Sequence, residues 1–192
     1  MIATKMNRSA AIPALPQRFS PSKLSVAARS PDVIGCPGHL LDSVVAEFRR
    51  DGAPSSSTER AATTPATIVV IDRSLIESLF RDRAGGAGIV RTFDRVRRER
   101  STERRICGMA TTSALSIAAR RLLLVCDIGQ TSRDERTRAL RWVRGLAHRI
   151  GYECSVNGLH GLATWYTVVV AGTDHAQAAT SVVEWYRTGH VP

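Results

Sequence analysis

Two aspartates are placed where acidic side chains could bind a metal ion. Asp72 follows the β-branched run 67–71, and Asp127 lies near the end of the apolar run 122–128. Such runs are typical of buried strands, and ligands of open α/β sheets gather at the carboxyl ends of strands. Mg²⁺ prefers carboxylate oxygens, so a converging pair would permit metal-dependent phosphodiester hydrolysis. The alternative is that each aspartate only caps the turn after its strand.

The first of these aspartates also belongs to a short family resemblance. Residues 68–77 resemble the opening of PIN-type nuclease domains, which place a metal-binding aspartate after their first strand. The resemblance implies that Asp72 binds metal in a nuclease. It covers only these residues, and the other acids of that family have no counterparts in this chain.

A second chemistry is the binding of phosphate by arginine. A helix is predicted over 134–149, with an apolar stripe on one face and arginines on the other. The upstream segment 91–108 is also dense in arginine. The residues predicted to contact nucleic acid are Arg138, Arg141, Arg144, Arg149, Arg97 and Arg98. Binding through several phosphates would depend strongly on salt. The alternative for both segments is an ordinary solvated helix or linker.

The overall charge supports this chemistry only weakly. The formal net charge is +10, with 25 arginines and only two lysines. A nucleic-acid-binding surface usually mixes the two residue types, so this ratio is more typical of GC-rich coding, although the charge would still attract phosphate. The charge is spread as +3, +4 and +3 over residues 1–65, 66–108 and 109–192, so no segment dominates it.

The four cysteines favour a structural role. They lack C-x-x-C spacing, and no histidine stands at zinc-finger spacing from them, which argues against a zinc site. Free cysteines are often buried as reduced thiols, which is typical of a cytoplasmic protein.

The clearest element pattern lies in residues 115–190. A strand at 122–128 precedes the helix 134–149, which begins with a capping box at Ser132 and Glu135 and stops at Gly151. Two strands, 152–157 and 164–171, and a last helix follow. The β-α-β-β-α order predicts an α+β fold with a ferredoxin-like layout that lacks its final strand. Residues 68–71 or a second copy would supply that strand, and an exposed sheet edge suggests a homodimer.

The preceding residues are less regular. Residues 1–65 are predicted to be a largely disordered, basic, Pro/Ser-rich extension with one short helix at 40–50. Residues 66–90 form a β-α unit of uncertain attachment, and 91–114 form an arginine-rich linker or helix. The first 31 residues contain no acid, so organellar import is an alternative to a cytoplasmic location. Translation from Met109 is a further hypothesis, because the regular pattern begins after it.

These observations lead to three functional hypotheses. The first is a small nucleic-acid-binding protein, for RNA or DNA, without catalytic activity or cofactor, in which Trp165 or Tyr166 stacks a base. The second is a Mg²⁺-dependent nuclease that uses Asp72 and Asp127. The third is a protein-interaction or regulatory module with no nucleic-acid role. No apolar run approaches the roughly 18 residues of a membrane-spanning helix, so we expect no integral membrane association.

Overall fold

A computed structural model describes residues 31–51, 64–81 and 89–190 of the chain. The elements in chain order are β1 (Asp32–Gly35), α1 (His39–Asp51), β2 (Ala66–Ile71), α2 (Arg73–Phe80), α3 (Ile89–Ser116), β3 (Arg121–Asp127), α4 (Arg133–Val156), β4 (Ala163–Val169) and α5 (His175–Thr188).

The four strands form one parallel sheet in the order β1-β2-β3-β4. Strand β2 pairs with β3 from Ala66–Arg121 to Ile71–Cys126, and β3 pairs with β4 from Arg121–Ala163 onward. All six residues of β2 are buried, as is typical of central strands covered on both faces. The ferredoxin-like prediction is therefore wrong: the fold is α/β, and the described strands are joined by β-α-β-α connections with no hairpin among them.

The error lies in residues 152–157, which were predicted to be a strand and instead continue α4. Their alternation of Tyr, Cys and Val is coincidental, because Tyr152 and Val156 are 68% and 65% exposed whereas Cys154 is buried. Cys154 and Ile150 are four residues apart and extend the buried stripe of the helix. Gly151 does not end the helix. It lies against Thr164 of β4, where an added Cβ would be 3.1 Å from the Thr164 hydroxyl oxygen.

The ordered structure begins earlier than expected. Residues 32–35 form β1, an edge strand paired with β2, and the helix predicted at 40–50 is present as α1. The predicted β-α unit at 66–90 contributes β2 to the middle of the sheet, and the arginine-rich segment 91–114 lies within α3. The predicted disorder and import signal in residues 1–30 and 52–63 lie outside the described residues.

The helices cover the two faces of the sheet unequally. Helices α2, α3 and α4 pack on the face that includes Val69, Leu124 and Cys126. Helices α1 and α5 pack together on the opposite face, which includes Val70 and Val125. The strands occupy successive positions across the sheet in their chain order, so the crossover through α1 has the opposite hand to those through α3 and α4. Nearly all crossovers between parallel strands are right-handed, so this sheet also contains left-handed crossover geometry, which is uncommon.

This arrangement opens the carboxyl edge of the sheet in two places. The chain leaves β1 and β4 toward one face and leaves β2 and β3 toward the other. Adjacent connections therefore diverge between β1 and β2 and again between β3 and β4. Such points are where open α/β sheets form their ligand crevices. In the described part of the chain, no helix has the length and hydropathy needed to cross a bilayer.

Candidate functional site

Asp127 is the centre of a polar cluster at the crevice between β3 and β4. Its side chain is almost completely buried. The amide of Gly129 donates to Asp127 Oδ1 at 2.8 Å. Asp127 Oδ2 lies 3.0 Å from Nε2 of His175, the first residue of α5, and 3.4 Å from Nη2 of Arg73, the first residue of α2. The cluster therefore ties the ends of β2, β3 and β4 together.

Asp72 lies beside Asp127 but has separate partners. The strand register ends at Ile71 and Cys126, so the two aspartates occupy the next positions of neighbouring strands. Asp72 Oδ1 accepts the amide of Ser74 at 3.1 Å and caps α2. The other carboxylate oxygen lies against Gly38, where an added Cβ would overlap it. Each aspartate thus faces the start of a different helix, α1 for Asp72 and α5 for Asp127.

The hydrogen-bond and ion-pair partners of these two carboxylates indicate that both aspartates stabilise the structure. Within residues 31–51, 64–81 and 89–190, no group of three or more His, Cys, Asp or Glu side chains is placed to hold a metal ion. The neighbouring Cys126 is no ready nucleophile, because burial, and secondarily the negative charge of Asp127, raise the pKa of its thiol far above the ordinary range. Metal binding by Asp72 and Asp127 stays a prediction.

The arginine row of α4 divides into two pairs. Arg138 Nη2 donates to the carbonyl of Phe80, the last residue of α2, at 3.3 Å. Arg149 forms an ion pair with Glu103 of α3 at 3.1 Å. These two arginines therefore join α4 to its neighbours, while Arg141 and Arg144 are exposed on the outer side of the helix.

The first half of α3 packs little against the rest of the protein. Among its described side chains, none before Ile106 is buried. Arg97 and Arg98 are exposed there, and Arg95 forms an ion pair with Glu99. In sequence, α3 contains seven arginines against three acids, and α4 contains six against three. Because α3 and α4 contact each other on the same face of the sheet, they form one outer layer of predominantly positive charge.

Exposed aromatic side chains accompany these arginines. Phe93 of α3 is 71% exposed, four residues before Arg97, and Tyr152 of α4 is exposed to nearly the same extent. Sequence reasoning missed Tyr152 because it assigned this residue to a strand. Of the two predicted stacking residues, Trp165 is half-buried against Trp185, and Tyr166 of β4 faces outward.

The described elements define a parallel α/β domain whose α3–α4 layer is basic and whose carboxyl edge holds the Asp127 cluster at the opening between β3 and β4. The chain matches no protein-family model, no curated protein and no solved structure.

Proposed function

We propose that this protein binds single-stranded nucleic acid, without catalysing a reaction, through the outer side of α3 and α4. The observation that supports the proposal is the presence of exposed arginines and exposed aromatic rings on the same two helices. The proposed contact residues are Arg97, Arg98, Arg141, Arg144, Phe93 and Tyr152.

The two kinds of side chain have complementary functions in such binding. Arginines neutralise phosphates and release condensed counterions, which gives affinity without sequence preference. Exposed aromatic rings stack on unpaired bases, which are accessible in a single strand but not in a duplex. Residues i and i+4 are neighbours on a helix surface, so Phe93 is placed to stack a base whose phosphate contacts Arg97.

The remaining predicted arginines have a supporting function in this proposal. Arg138 and Arg149 hold α4 against α2 and α3, so they position the surface instead of contacting phosphate directly. Asp72 and Asp127 hold the strand ends and connections at the carboxyl edge. The proposal therefore assigns no catalytic step to either aspartate.

The test measures the affinity of a fluorescein-labelled oligo-U strand by anisotropy over about 50 to 200 mM salt. Four phosphate contacts on a single strand predict a slope of log K against log salt of about −3. Replacing both Arg141 and Arg144 by Gln should bring that slope about 1.4 closer to zero. The matched control replaces Arg49 and Arg50, which lie on α1 over the other face of the sheet, and should leave the slope unchanged.

Two further measurements separate the alternatives. Phe93→Ala and Tyr152→Ala should each weaken oligo-U binding and leave duplex binding unaffected, because a duplex offers no unstacked base. Affinity that is absent at low salt, or an equal effect of the α1 and α4 variants, would contradict the proposal. Shortening of the oligonucleotide on addition of Mg²⁺, abolished by Asp127→Asn, would instead support the nuclease hypothesis.

A further inference from the structure

The free edge of β1 forms one side of a groove that none of the functional hypotheses uses. Strand β1 pairs with β2 alone among the described strands, so its outer backbone groups have no strand partner. Helix α3 runs beside this edge, held there by the hydroxyl of Ser113, which donates to Asp32 at 2.6 Å. The groove between the strand and the helix is lined by Ile34, Leu41, Arg104, Arg105, Gly108 and Met109, among others.

The helix wall of this groove is smooth and apolar in its middle. Gly108 is exposed within α3, and an added Cβ there would contact nothing within 4 Å. Glycine inside a helix is destabilising relative to alanine, and no contact among the described residues requires it at this position. Its effect is to leave space beside the edge strand. Met109 next to it is 39% exposed and offers an adaptable apolar surface.

The charge of the groove wall indicates what it would accept. Arg104 and Arg105 are both exposed and lie one turn before Gly108 and Met109. The acid on the strand side, Asp32, is bound by Ser113 and faces α3. The groove thus combines unpaired strand backbone, an apolar middle and a positively charged end.

We propose that this groove binds an extended acidic peptide segment of a partner protein, which adds to the sheet as a strand beside β1. An edge strand supplies main-chain hydrogen bonds, and alternate side chains of the added strand enter pockets on one side. Here the carboxylates of the peptide face α3 and contact Arg104 and Arg105, whereas its apolar side chains face the opposite side of the sheet and contact Leu41 of α1. The proposal is independent of nucleic-acid binding, which uses the outer arginines of α4 and the start of α3.

The experiment uses the full chain and a fluorescein-labelled hexapeptide of alternating Val and Glu, compared with one of alternating Val and Lys. The acidic peptide should bind more tightly. Gly108→Leu fills the groove and should weaken that binding by about tenfold or more. Gly145→Leu is the matched control, because Gly145 is equally open but lies on α4; it should leave the affinity unchanged.

A second variant keeps the test decisive if Gly108→Leu perturbs the fold. Replacing Arg104 and Arg105 by Glu should reverse the preference between the two peptides while oligo-U binding keeps its Arg141 and Arg144 contacts. Strand addition also predicts slowed exchange of the Val33 and Gly35 amides when peptide is bound, because these amides alternate with the amide of Cys36, which donates to Val70 of β2. Equal binding of both peptides, or equal effects of the two glycine variants, would overturn the proposal. Self-association that Gly108→Leu abolishes would overturn it as well, because a second copy would then occupy the groove.

Discussion

Individual polar residues at the carboxyl edge show how much of a site one sequence reveals. The positions of Asp72 and Asp127 at the ends of buried strands could be predicted, because β-branched runs identify such strands locally. The contact between Asp127 and His175 could not, since the two are 48 residues apart. The contact requires β4 to lie parallel to β3, so that α5 begins at the same edge of the sheet. The wrong prediction of a strand at 152–157 implied a different arrangement of these strands.

We expect the single residue Asp127 to contribute strongly to the free energy of unfolding. Asp127→Ala removes the acceptor of the Gly129 amide and leaves Arg73 and His175 without their carboxylate. Because Asp127 is buried, the loss should be about 2–4 kcal/mol in the free energy of unfolding, measured by urea titration. Asp127→Asn keeps an acceptor for Gly129 and should cost less.

Asp174→Ala is the control for this substitution. Asp174 precedes His175 and makes no side-chain cap hydrogen bond, so its loss should cost less than about 1 kcal/mol. If Asp127→Ala and Asp174→Ala shift the urea midpoint equally, the Asp127 cluster does not stabilise the edge as described.

Among the elements, α4 shows which local signals are reliable. Its start was predicted correctly, because the capping box at Ser132 and Glu135 is a local hydrogen-bond pattern that the structure confirms. Its end was wrong, because Gly151 resembles a helix terminator in sequence but serves close packing on β4. The start of α4 is therefore determined by local hydrogen bonds, whereas the role of Gly151 is determined by the close approach of β4.

Two glycines of α4 allow a paired test of that explanation. Gly145→Ala should stabilise the protein by about 0.5–1 kcal/mol, because a Cβ there meets nothing and alanine has the higher helix propensity. Gly151→Ala gains the same propensity but places a Cβ 3.1 Å from the Thr164 hydroxyl oxygen, so its net gain should be smaller or negative. Urea unfolding of both variants measures the difference. An equal gain at both positions would mean that Gly151 is not needed for the contact with β4.

The topology of the whole molecule could not be predicted from local sequence patterns. The rule that crossovers are right-handed would place α1 on the same face as α3 and α4, given the strand order β1-β2-β3-β4. Instead α1 packs with α5, and their contact includes the rings of Phe48 and Tyr186, whose centroids are 5.6 Å apart. This pairing is a long-range contact that periodicity within each helix cannot specify. The amphipathic face of α1 was predictable, but its partner was not.

The same topology bears on the hypothesis that translation starts at Met109. Met109 lies in the last third of α3, and a chain of residues 109–192 would lack β1, α1, β2, α2 and most of α3. Strand β3 would lose the six-residue pairing with β2, and α5 would lose the apolar face of α1. The side chains of Leu123 and Val125 would then be covered by α5 but not by β2 and α1, on a sheet of only two strands, and two strands alone are marginally stable.

We therefore expect residues 109–192 to show no cooperative unfolding transition in urea and no fixed tertiary signal in near-ultraviolet circular dichroism. The control is residues 31–192, which contain every described element and should unfold in a single cooperative transition. A sharp transition for residues 109–192, with a near-ultraviolet spectrum matching that of the control, would contradict this prediction. It would mean that β3, α4, β4 and α5 form a sufficient core by themselves, and that the pairing of β2 with β3 adds to a fold that is already stable.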